Sequence, residues 1–405
     1  MSQGMDSQRL IELGRELGQV FSTRAAEYDR TATFPVADFD DLREAGLLGV
    51  MVPERFGGLG ADFLTYTKML EQIGIGHAAT GLTFNMHNIV TGGVAEMDLD
   101  AIPGSRGKAM KAFAEWLFDE AVNGKKLFAS ATTEPGIGAK YSQLQTTYER
   151  VDGGYELNGV KSFVSMAGFA DYYVVAARSK EETSGPVPTL SFFAVPKEAD
   201  GIEIEDVWDV LGMRATSSNT MYLRNVFVAK ELLFLGSEGF GFFKLLREPH
   251  WQVGGYNGVY LGICTAIFEF MTDYLAKKGI AGTDRTAADD RVTQHQVGEL
   301  DVELAAARAL TYEAARLVTE SPGSFEANTA IHRAKYIVGE LAPRLGSMAI
   351  RICGGSTIAK RLPLERLYRD ARCGGLMPAK SDDCLSYVGK AALGIDVSKA
   401  EESYW

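Results

Sequence analysis

The sequence predicts an α+β protein in three successive parts, because its hydrophobic pattern changes twice along the 405 residues. Apolar residues recur at helical spacing until about residue 126. Between residues 127 and 235 they alternate at period two and are rich in β-branched and aromatic types, which is typical of strands. Helical spacing then returns. We therefore predict an N-terminal α-helical domain (1–126), a middle antiparallel β domain (127–235) and a C-terminal helical domain (236–405).

Each part divides into predicted elements. In the first part we expect helices at 8–30, 62–96 and 106–123, and a further helix that Pro35 starts and Gly46 stops. Six strand-like segments follow, with Gly-rich turn signals between them: LFASATTEP, TTYERV, GYELNGVKSFVSM, DYYVVAARS, TLSFFAVP and NTMYLRNVFV. Four long helices are expected in the last part, and the polar segment TDRTAADD connects two of them.

The composition argues against several classes of protein. The formal net charge of -12 does not suit a nucleic-acid-binding surface. No apolar run approaches the ~20 residues of a membrane helix, and the N terminus resembles neither a secretory signal nor an acid-poor transit peptide. The four cysteines lack CxxC spacing, so we expect reduced thiols in a cytoplasmic protein. The histidines show no metal-ligand spacing, and we assign no metal.

Two segments of the β part are candidate cofactor contacts. The turn Thr132–Gly138 (TTEPGIG) has glycines that let the backbone approach a ligand and threonines that supply small donors. The alternative is a plain Pro-Gly turn between strands. Asn158–Ser165 (NGVKSFVS) offers the ring of Phe163 and the hydroxyl of Ser165. The alternative there is a hairpin whose phenylalanine points inward.

Three further segments carry polar or glycine-rich patterns. Leu211–Ser218 (LGMRATSS) follows the strand-rich region, and Cys353–Thr357 (CGGST) places a glycine pair at a helix end. Exposed N–H groups at such a turn suit a phosphate, although a helix C-cap has the same signature. In Leu364–Arg372 (LERLYRDAR), we expect Arg369 and Asp370 to form a structural ion pair.

The order of the parts and these five segments resemble the acyl-CoA dehydrogenase family, over about residues 34–394. The resemblance implies an acyl-CoA dehydrogenase-like fold with a C-terminal four-helix bundle, one FAD in a cleft beside the β domain, and a homotetramer. It implies a set of FAD-binding residues: Thr132, Thr133, Gly138, Phe163, Ser165, Gly354 and Gly355. It also implies a set near the substrate: Ala139, Arg214, Met377 and Pro378.

The sequence departs from the family at the usual catalytic carboxylate, which removes the α-proton of an acyl-CoA. Most relatives carry a glutamate eight residues beyond the aspartate that corresponds to Asp370, and this count gives Pro378. No carboxylate occurs in residues 373–380. Proline also lacks the N–H that bonds the thioester oxygen in relatives. The family's Ser-Asp after the TEPxxG turn is Ala139-Lys140 here, and an Arg-x-x-Phe-Gly phosphate-binding element is absent.

A second arrangement in the family places the base on the first helix of the C-terminal domain. Gln252 aligns with that base, and Glu248 precedes it by one helical turn, about 5.4 Å along the axis. Pro249 is expected to kink the helix and could re-aim Glu248 or His250 into the pocket. Glu248 is therefore our candidate catalytic residue, and the alternative is a surface acid at a helix break.

Three functions remain open at the level of sequence. The first is α,β-dehydrogenation of an acyl-CoA or carrier-bound acyl thioester, with an electron-transfer flavoprotein or a similar acceptor as partner, as in fatty acid metabolism. The second is a flavin-dependent monooxygenase of the same fold, which needs no α-proton base. The third is a non-catalytic, FAD-bearing subunit of a hetero-oligomer. The resemblance favours the first, and Pro378 favours the second.

Overall fold

The structure is a computed structural model that describes residues 6–138, 140–181, 189–241, 249–397 and 399. Two predicted site residues, Ala139 and Glu248, lie outside the described residues. The described residues of the N-terminal part form six helices: α1 (Ser7–Ser22), α2 (Ala25–Thr31), α3 (Val36–Glu44), α4 (Phe63–Gly76), α5 (Ala78–Ala95) and α6 (Gly104–Val122). In the middle part, the described residues form seven strands: β1 (Phe128–Ala131), β2 (Thr147–Val151), β3 (Gly154–Val164), β4 (Tyr172–Ser179), β5 (Leu190–Pro196), β6 (Ile202–Glu205) and β7 (Asn219–Ala229).

The C-terminal part is helical again within the described residues. Its helices are α7 (Pro249–Val253), α8 (Gly255–Lys277), α9 (Arg291–Glu320), α10 (Phe325–Cys353), α11 (Leu364–Arg372) and α12 (Ser381–Ala392). Helix α10 packs against α8, α9, α11 and α12, and α8 packs against α4 and α5 of the N-terminal part. The predicted α, β, α order and the α+β class are therefore confirmed.

Two helix predictions needed correction. The single helix expected at 8–30 is divided, because the chain turns at Thr23 and Arg24 between α1 and α2. The helical region 62–96 is divided at His77, whose extended backbone (φ -148°) ends α4 and starts α5. Asp62 caps α4 by accepting a hydrogen bond from the Thr65 N–H, which satisfies one of the free donors at the helix start.

The strands form a seven-stranded sheet in which β4 is the branch point. The order is β1-β4-β2-β3-β7-β6, and β5 also pairs with β4. The prediction of a purely antiparallel domain was wrong in two pairings, because β1 and β2 both run parallel to β4. Period-two patterning shows that a segment is a strand but carries no information on the direction of its neighbour. Strand β6 was also missed, since its four residues (IEIE) are too short for a clear pattern.

One helical stretch, Pro249–Lys277, has the length and mean hydropathy (1.3) of a membrane span. Over half of that apolar window, 56%, is buried inside the protein. The stretch lies between α4, α5 and α10, so these neighbours account for its apolar side chains as core packing.

Candidate functional site

The predicted turn Thr132–Gly138 folds back tightly on itself after β1. The N–H groups of Glu134 and Gly138 each donate to the other residue's carbonyl, at 3.1 and 3.0 Å. Gly136 and Gly138 have φ values of +80° and +65°, a left-handed backbone that glycine adopts without strain. No atom lies within 4 Å of the position where a side chain on Gly138 would begin. The turn therefore presents open backbone to the cleft, as a cofactor contact requires.

A buried ion pair, which the sequence analysis missed, holds this turn against strand β3. Lys161 Nζ lies 2.7 Å from Glu134 Oε1, and both side chains are almost fully buried. Glu134 also accepts hydrogen bonds from the backbone N–H groups of Gln145 and Thr146. Burial alone would raise the pKa of Glu134, but the Lys161 ammonium and these donors lower it. A charged residue inside an otherwise buried strand was the signal that could have revealed the pair.

Phe163 is displayed at the end of β3 by an irregular backbone. The register of β3 against β7 shifts between Lys161 and Val164, and Phe163 adopts φ +54°. Its ring is 63% exposed and meets the Trp208 ring edge-to-face at 5.8 Å. A bulky residue in this region of backbone space costs of order 1–3 kcal/mol, which is typical of functional sites. The exposed ring excludes the alternative of a hairpin whose phenylalanine points inward, and the flavin contact of Phe163 remains a prediction.

Ser165 belongs to a chain of hydroxyl groups behind this ring. Its Oγ lies 2.9 Å from Ser218 Oγ, which in turn lies 2.7 Å from Thr216 Oγ1. The Ser162 N–H donates to the Thr133 carbonyl at 2.9 Å, which joins β3 to the turn after β1. The Ser162 hydroxyl is buried and has no partner among the described residues. These hydroxyls form a polar edge beside an exposed aromatic face.

Arg214 ties the β domain to helix α2. Its Nε donates to the Asp29 carbonyl of α2 at 3.0 Å, and its Nη1 donates to the Val210 carbonyl at 2.8 Å. These contacts show a structural role, and its predicted contact with substrate stays a prediction. The expected pairing of Arg369 with Asp370 is wrong, because Arg369 pairs with Asp29 and Glu365. Asp370 instead accepts the Met213 N–H at 2.6 Å, across the domain boundary.

The glycine pair Gly354-Gly355 ends helix α10 at the surface. Gly354 has φ +94°, and nothing lies within 4 Å of a side chain built on Gly355. Lys278 Nζ donates to the Cys353 carbonyl at 2.8 Å, which places an ammonium group beside the turn. The Ser356 hydroxyl lies 2.9 Å from that of Tyr274. An open turn with an adjacent cation suits the predicted phosphate contact, which no contact in the structure tests.

The segment at the place of the family's catalytic glutamate is fixed at both ends. Lys335, buried in α10, donates to the Gly374 carbonyl at 2.7 Å. The Cys384 thiol of α12 lies 3.6 Å from the Ala379 carbonyl. Between these contacts lie Met377 and Pro378, both partly buried. The segment is therefore held in place by side chains of two helices, and it presents no carboxylate.

Three buried tyrosines lie between this segment and the β domain. The Tyr141 phenol hydrogen-bonds Thr132, and burial raises the pKa of Tyr141 to about 12. The Tyr256 hydroxyl lies 3.8 Å from the Met86 sulfur of α5. Tyr260 packs against Gly374, and its hydroxyl has no partner among the described residues. Burial raises the pKa of Tyr256 and Tyr260, so these phenols remain protonated hydrogen-bond donors near neutral pH.

The helix α7 directs His250 away from this cleft. His250 is fully buried, and its Nε2 donates to Glu96 Oε2 at 2.8 Å, at the end of α5. The suggestion that the Pro249 kink turns His250 into the pocket is therefore wrong, because the imidazole pairs with Glu96. The role of Glu248 as the candidate base stays a prediction.

The residues present fit a flavin. A flavin needs a flat apolar contact, donors and acceptors along one edge of the ring, and backbone that can approach its polar groups. Phe163, the hydroxyl chain of Ser165 and the open backbone at Gly138 supply these features, and the hydrogen bond from the Ser162 N–H to the Thr133 carbonyl joins the strand end to the turn. The unpartnered hydroxyl of Ser162 adds a polar group to the same strand end.

Comparison with known proteins agrees with this fold. Residues 13–97, 129–226 and 256–377 match the N-terminal, middle and C-terminal domains of acyl-CoA dehydrogenases. The mouse mitochondrial short-chain specific acyl-CoA dehydrogenase is 30% identical over 348 residues, 86% of this chain and 80% of that protein. The amino sugar nitrososynthase DnmZ of Streptomyces peucetius is 30% identical over 95% of this chain and 93% of that protein.

A solved structure supports the same architecture. TdsC from Paenibacillus sp. A11-2, in complex with FMN and indole, superposes with a TM-score of 0.84 and 24% identity, covering 97% of this chain and 99% of that one. The fold and the cleft thus define a three-part flavoprotein oxidoreductase. The chain belongs to the acyl-CoA dehydrogenase family, whose dehydrogenases use FAD, so the predicted family, enzyme class and flavin cofactor are confirmed.

Proposed function

We propose that this protein is a flavin-dependent monooxygenase rather than a dehydrogenase of acyl thioesters. The observation that carries the proposal is the segment Gly374–Ala379, which takes the place of the catalytic glutamate and holds Pro378 there. Removal of a weakly acidic α-proton needs a positioned base. Transfer of oxygen to a substrate does not require that base.

The described side chains around the cleft supply hydrogen-bond donors, but none is a free base that could remove an α-proton. Tyr141 and Tyr256 remain protonated because burial raises the pKa of each phenol. Asp370 is buried and already accepts the Met213 N–H, and burial raises its pKa as well. Glu340, close to Gly375, accepts a hydrogen bond from Ser381. This set can orient a polar substrate, but it offers no carboxylate directed at an α-carbon.

The protein's own residues would position the reaction. The chemistry that a reduced flavin supplies when bound is activation of O2 and transfer of one oxygen atom to the substrate. Phe163 and the Ser165 hydroxyl would fix the plane and one edge of the ring. The Tyr260 hydroxyl, which lacks a protein partner, would bond a polar group of the substrate or an ordered water. The surrounding apolar core would limit access of bulk water.

The relatives include both reaction types, so they do not decide the question. The nitrososynthase relative acts on amino sugars by its name and is 30% identical over nearly the whole chain. Dehydrogenation of an acyl-CoA or carrier-bound acyl group is the second candidate, because the short-chain dehydrogenase relative has the same identity over 86% of the chain. In that case Glu248 is the base, and an electron-transfer flavoprotein or similar acceptor is the partner.

One pair of measurements separates the two. The purified flavin-loaded protein is mixed anaerobically with butyryl-, octanoyl- and isobutyryl-CoA in D2O, while flavin absorbance and α-deuteration of the acyl group are followed. We expect neither bleaching nor deuteration. With a flavin reductase, NADH and labelled O2, indole is then offered, and we expect the label in an indole product by mass spectrometry. Bleaching by any of the thioesters would overturn the proposal.

Glu248→Gln sharpens this experiment. If bleaching by a thioester occurs and is lost in Glu248→Gln with flavin still bound, the dehydrogenase assignment replaces ours. If neither reaction occurs in the folded protein, the non-catalytic subunit becomes the better hypothesis. The homotetramer and the cytoplasmic location are also proposals, and light scattering on the purified protein tests the first.

A further inference from the structure

The main-chain carbonyl of Met213 is a shared acceptor for two side chains of the β domain. Met213 is buried in the connection between β6 and β7. Its carbonyl oxygen accepts hydrogen bonds from Trp208 Nε1 and from Thr216 Oγ1, both at 3.0 Å, and from the Thr216 N–H at 3.2 Å. The oxygen of a planar peptide unit moves only with the backbone. Both side chains therefore depend on where the backbone of Met213 is held.

Helix α11 of the C-terminal part holds this backbone in place. The Met213 N–H donates to Asp370 Oδ1 at 2.6 Å, and Arg369 Nη1 donates to the Leu211 carbonyl at 3.0 Å. A side chain on Gly212 would begin only 2.3 Å from the Arg369 carbonyl oxygen, so the segment lies directly on the helix. Met213 adopts φ +54°, a backbone region that a long side chain occupies only where its surroundings impose it.

The first of the two side chains, Trp208, leads to Phe163. The two rings meet edge-to-face, with centroids 5.8 Å apart and an interplanar angle of 89°. Among the described residues, Trp208 is the only aromatic partner of the Phe163 ring, which is 63% exposed. An exposed ring with one aromatic neighbour takes its orientation from that neighbour, since edge-to-face geometry is specific.

The second side chain, Thr216, leads to Ser165. Thr216 Oγ1 lies 2.7 Å from Ser218 Oγ, and Ser218 Oγ lies 2.9 Å from Ser165 Oγ. All three residues are buried. A buried chain of hydrogen bonds with one end on the backbone restricts the rotation of each hydroxyl group. The direction of the Ser165 hydroxyl is therefore set from the same carbonyl as the Trp208 ring.

We propose that Trp208 and Thr216 are positioning residues for the bound flavin. Trp208 sets the orientation of the Phe163 ring, and Thr216 sets that of the Ser165 hydroxyl through Ser218. Both act without touching the cofactor. The proposal rests on the predicted flavin contacts of Phe163 and Ser165. It does not depend on the choice between monooxygenase and dehydrogenase, so the thioester and indole experiments can fail without affecting it.

Two double-mutant cycles test the proposal through the affinity of the apoprotein for FAD, measured by fluorescence titration. Trp208→Ala is combined with Phe163→Ala, and Thr216→Val is combined with Ser165→Ala. We expect Trp208→Ala and Thr216→Val each to weaken FAD binding about two- to tenfold, as loss of one edge-to-face pair or one hydrogen bond does. Neither should weaken it further, beyond about twofold, where Phe163 or Ser165 is already alanine. The crossed pair of Trp208→Ala with Ser165→Ala should be additive.

Visible circular dichroism of the bound flavin is the second measurement, because it reports the surroundings of the ring independently of affinity. Trp208→Phe keeps an aromatic edge beside Phe163, so its spectrum should lie between those of Trp208→Ala and the unmodified protein. Phe227→Ala is the matched control. Phe227 is 51% exposed and pairs with Glu156, at the other end of β3 from Phe163. This variant should leave the FAD affinity and the spectrum unchanged.

The proposal fails if folded Trp208→Ala or folded Thr216→Val binds FAD like the unmodified protein. It fails equally if the losses in Trp208→Ala and Phe163→Ala add, because Trp208 then acts on the flavin independently of Phe163. Full affinity in both Phe163→Ala and Ser165→Ala would remove the predicted contacts and the proposal with them. Thermal unfolding of the apoprotein shows which variants fold. Should Trp208→Ala not fold, Trp208→Phe takes its place in the cycle.

Discussion

On the β-domain side of the flavin cleft, the contacts join a turn and a strand of the same domain, whereas on the helical side two helices, α10 and α12, hold the segment between α11 and α12. The first side depends on the buried pair of Glu134 and Lys161 and on strained backbone at Phe163. The second depends on Lys335 and Cys384, which hold the carbonyls of Gly374 and Ala379. The first side carries the residue pattern that marks the family. The second departs from it, so our cofactor prediction and our proposed reaction depend on different sides of the molecule.

Loss of the buried ion pair should give the largest effect. Lys161→Met leaves the Glu134 carboxylate buried without its partner, and we expect a loss of about 3–5 kcal/mol in the free energy of unfolding. Flavin should be lost with it, because the turn carrying Gly138 is released. Urea unfolding and flavin retention measure both effects. The exposed pair of Lys180 and Glu149 is the control, and Lys180→Met should cost less than about 1 kcal/mol.

A substitution on the helical side should lower stability without loss of the cofactor. Lys335→Met leaves the Gly374 carbonyl unpaired, which we expect to lower the free energy of unfolding by about 1–3 kcal/mol. Flavin affinity should stay unchanged, because the residues of this segment are predicted to contact the substrate and not the flavin. If flavin is lost as readily as in Lys161→Met, the two sides are not separate and our comparison is wrong.

We also expect the contribution of Lys335 to the free energy of unfolding to depend on pH. Burial lowers the pKa of Lys335 to about 8, while in the unfolded chain it is about 10.4. Between these values the unfolded state binds more protons than the folded state, so the contribution of Lys335 to stability rises with pH. The difference in unfolding free energy between the unmodified protein and Lys335→Met should therefore increase from pH 8 to pH 10, by no more than about 1.4 kcal/mol per pH unit.

Substitutions at two glycines of the turn Thr132–Gly138 distinguish the effect of backbone strain on stability from the effect on flavin binding. Gly136→Ala and Gly138→Ala both place a side chain at positive φ with open space around it, and each should cost about 1 kcal/mol of stability. Only Gly138→Ala is expected to weaken flavin binding, by about tenfold, because Gly138 is the predicted contact. Fluorescence titration of the apoprotein with FAD and FMN measures the two affinities. Equal losses in both variants would remove Gly138 from the site.

The smallest effect on stability is expected at Phe163. In Phe163→Gly, relief of the left-handed backbone opposes the extra chain entropy of glycine, so the apoprotein should change by less than about 1 kcal/mol. Flavin binding should still weaken, since the exposed ring is lost. Thermal unfolding with and without flavin gives both quantities. A large loss in the apoprotein would mean that the ring serves packing rather than the cofactor.

The sequence was informative where local chemistry determines structure. The turn at Gly136 and Gly138 was predictable, because glycine spacing reports on nearby backbone, whereas the sequence left open whether Phe163 points inward or outward. The pair of Glu134 and Lys161 was not found, although its partners are only 27 residues apart, since nothing local tells that both side chains turn inward. The parallel pairing of β1 with β4 was equally hidden.

The helical side of the site shows more clearly what could not be predicted from the sequence. Arg369 was expected beside Asp370, yet its partner Asp29 lies 340 residues away in the sequence. The tyrosines come from α8 and from the loop after β1, and no spacing connects Tyr141 with Tyr260. Contacts of this kind depend on how domains pack, which hydrophobic periodicity does not encode. The absence of a carboxylate from residues 373–380, in contrast, needed only the sequence.

The anchoring of Gly374 and Ala379 by side chains from α10 and α12 has an evolutionary consequence. Because the ends of the stretch are fixed from outside, the three residues Leu376–Pro378 can be exchanged while the neighbouring helices stay in place, whereas a side chain on Gly375 would meet Glu340 and Ser381. Natural variation can then change the predicted substrate side at three positions, and a laboratory library confined to Leu376–Pro378 would sample new reactivities on a constant scaffold.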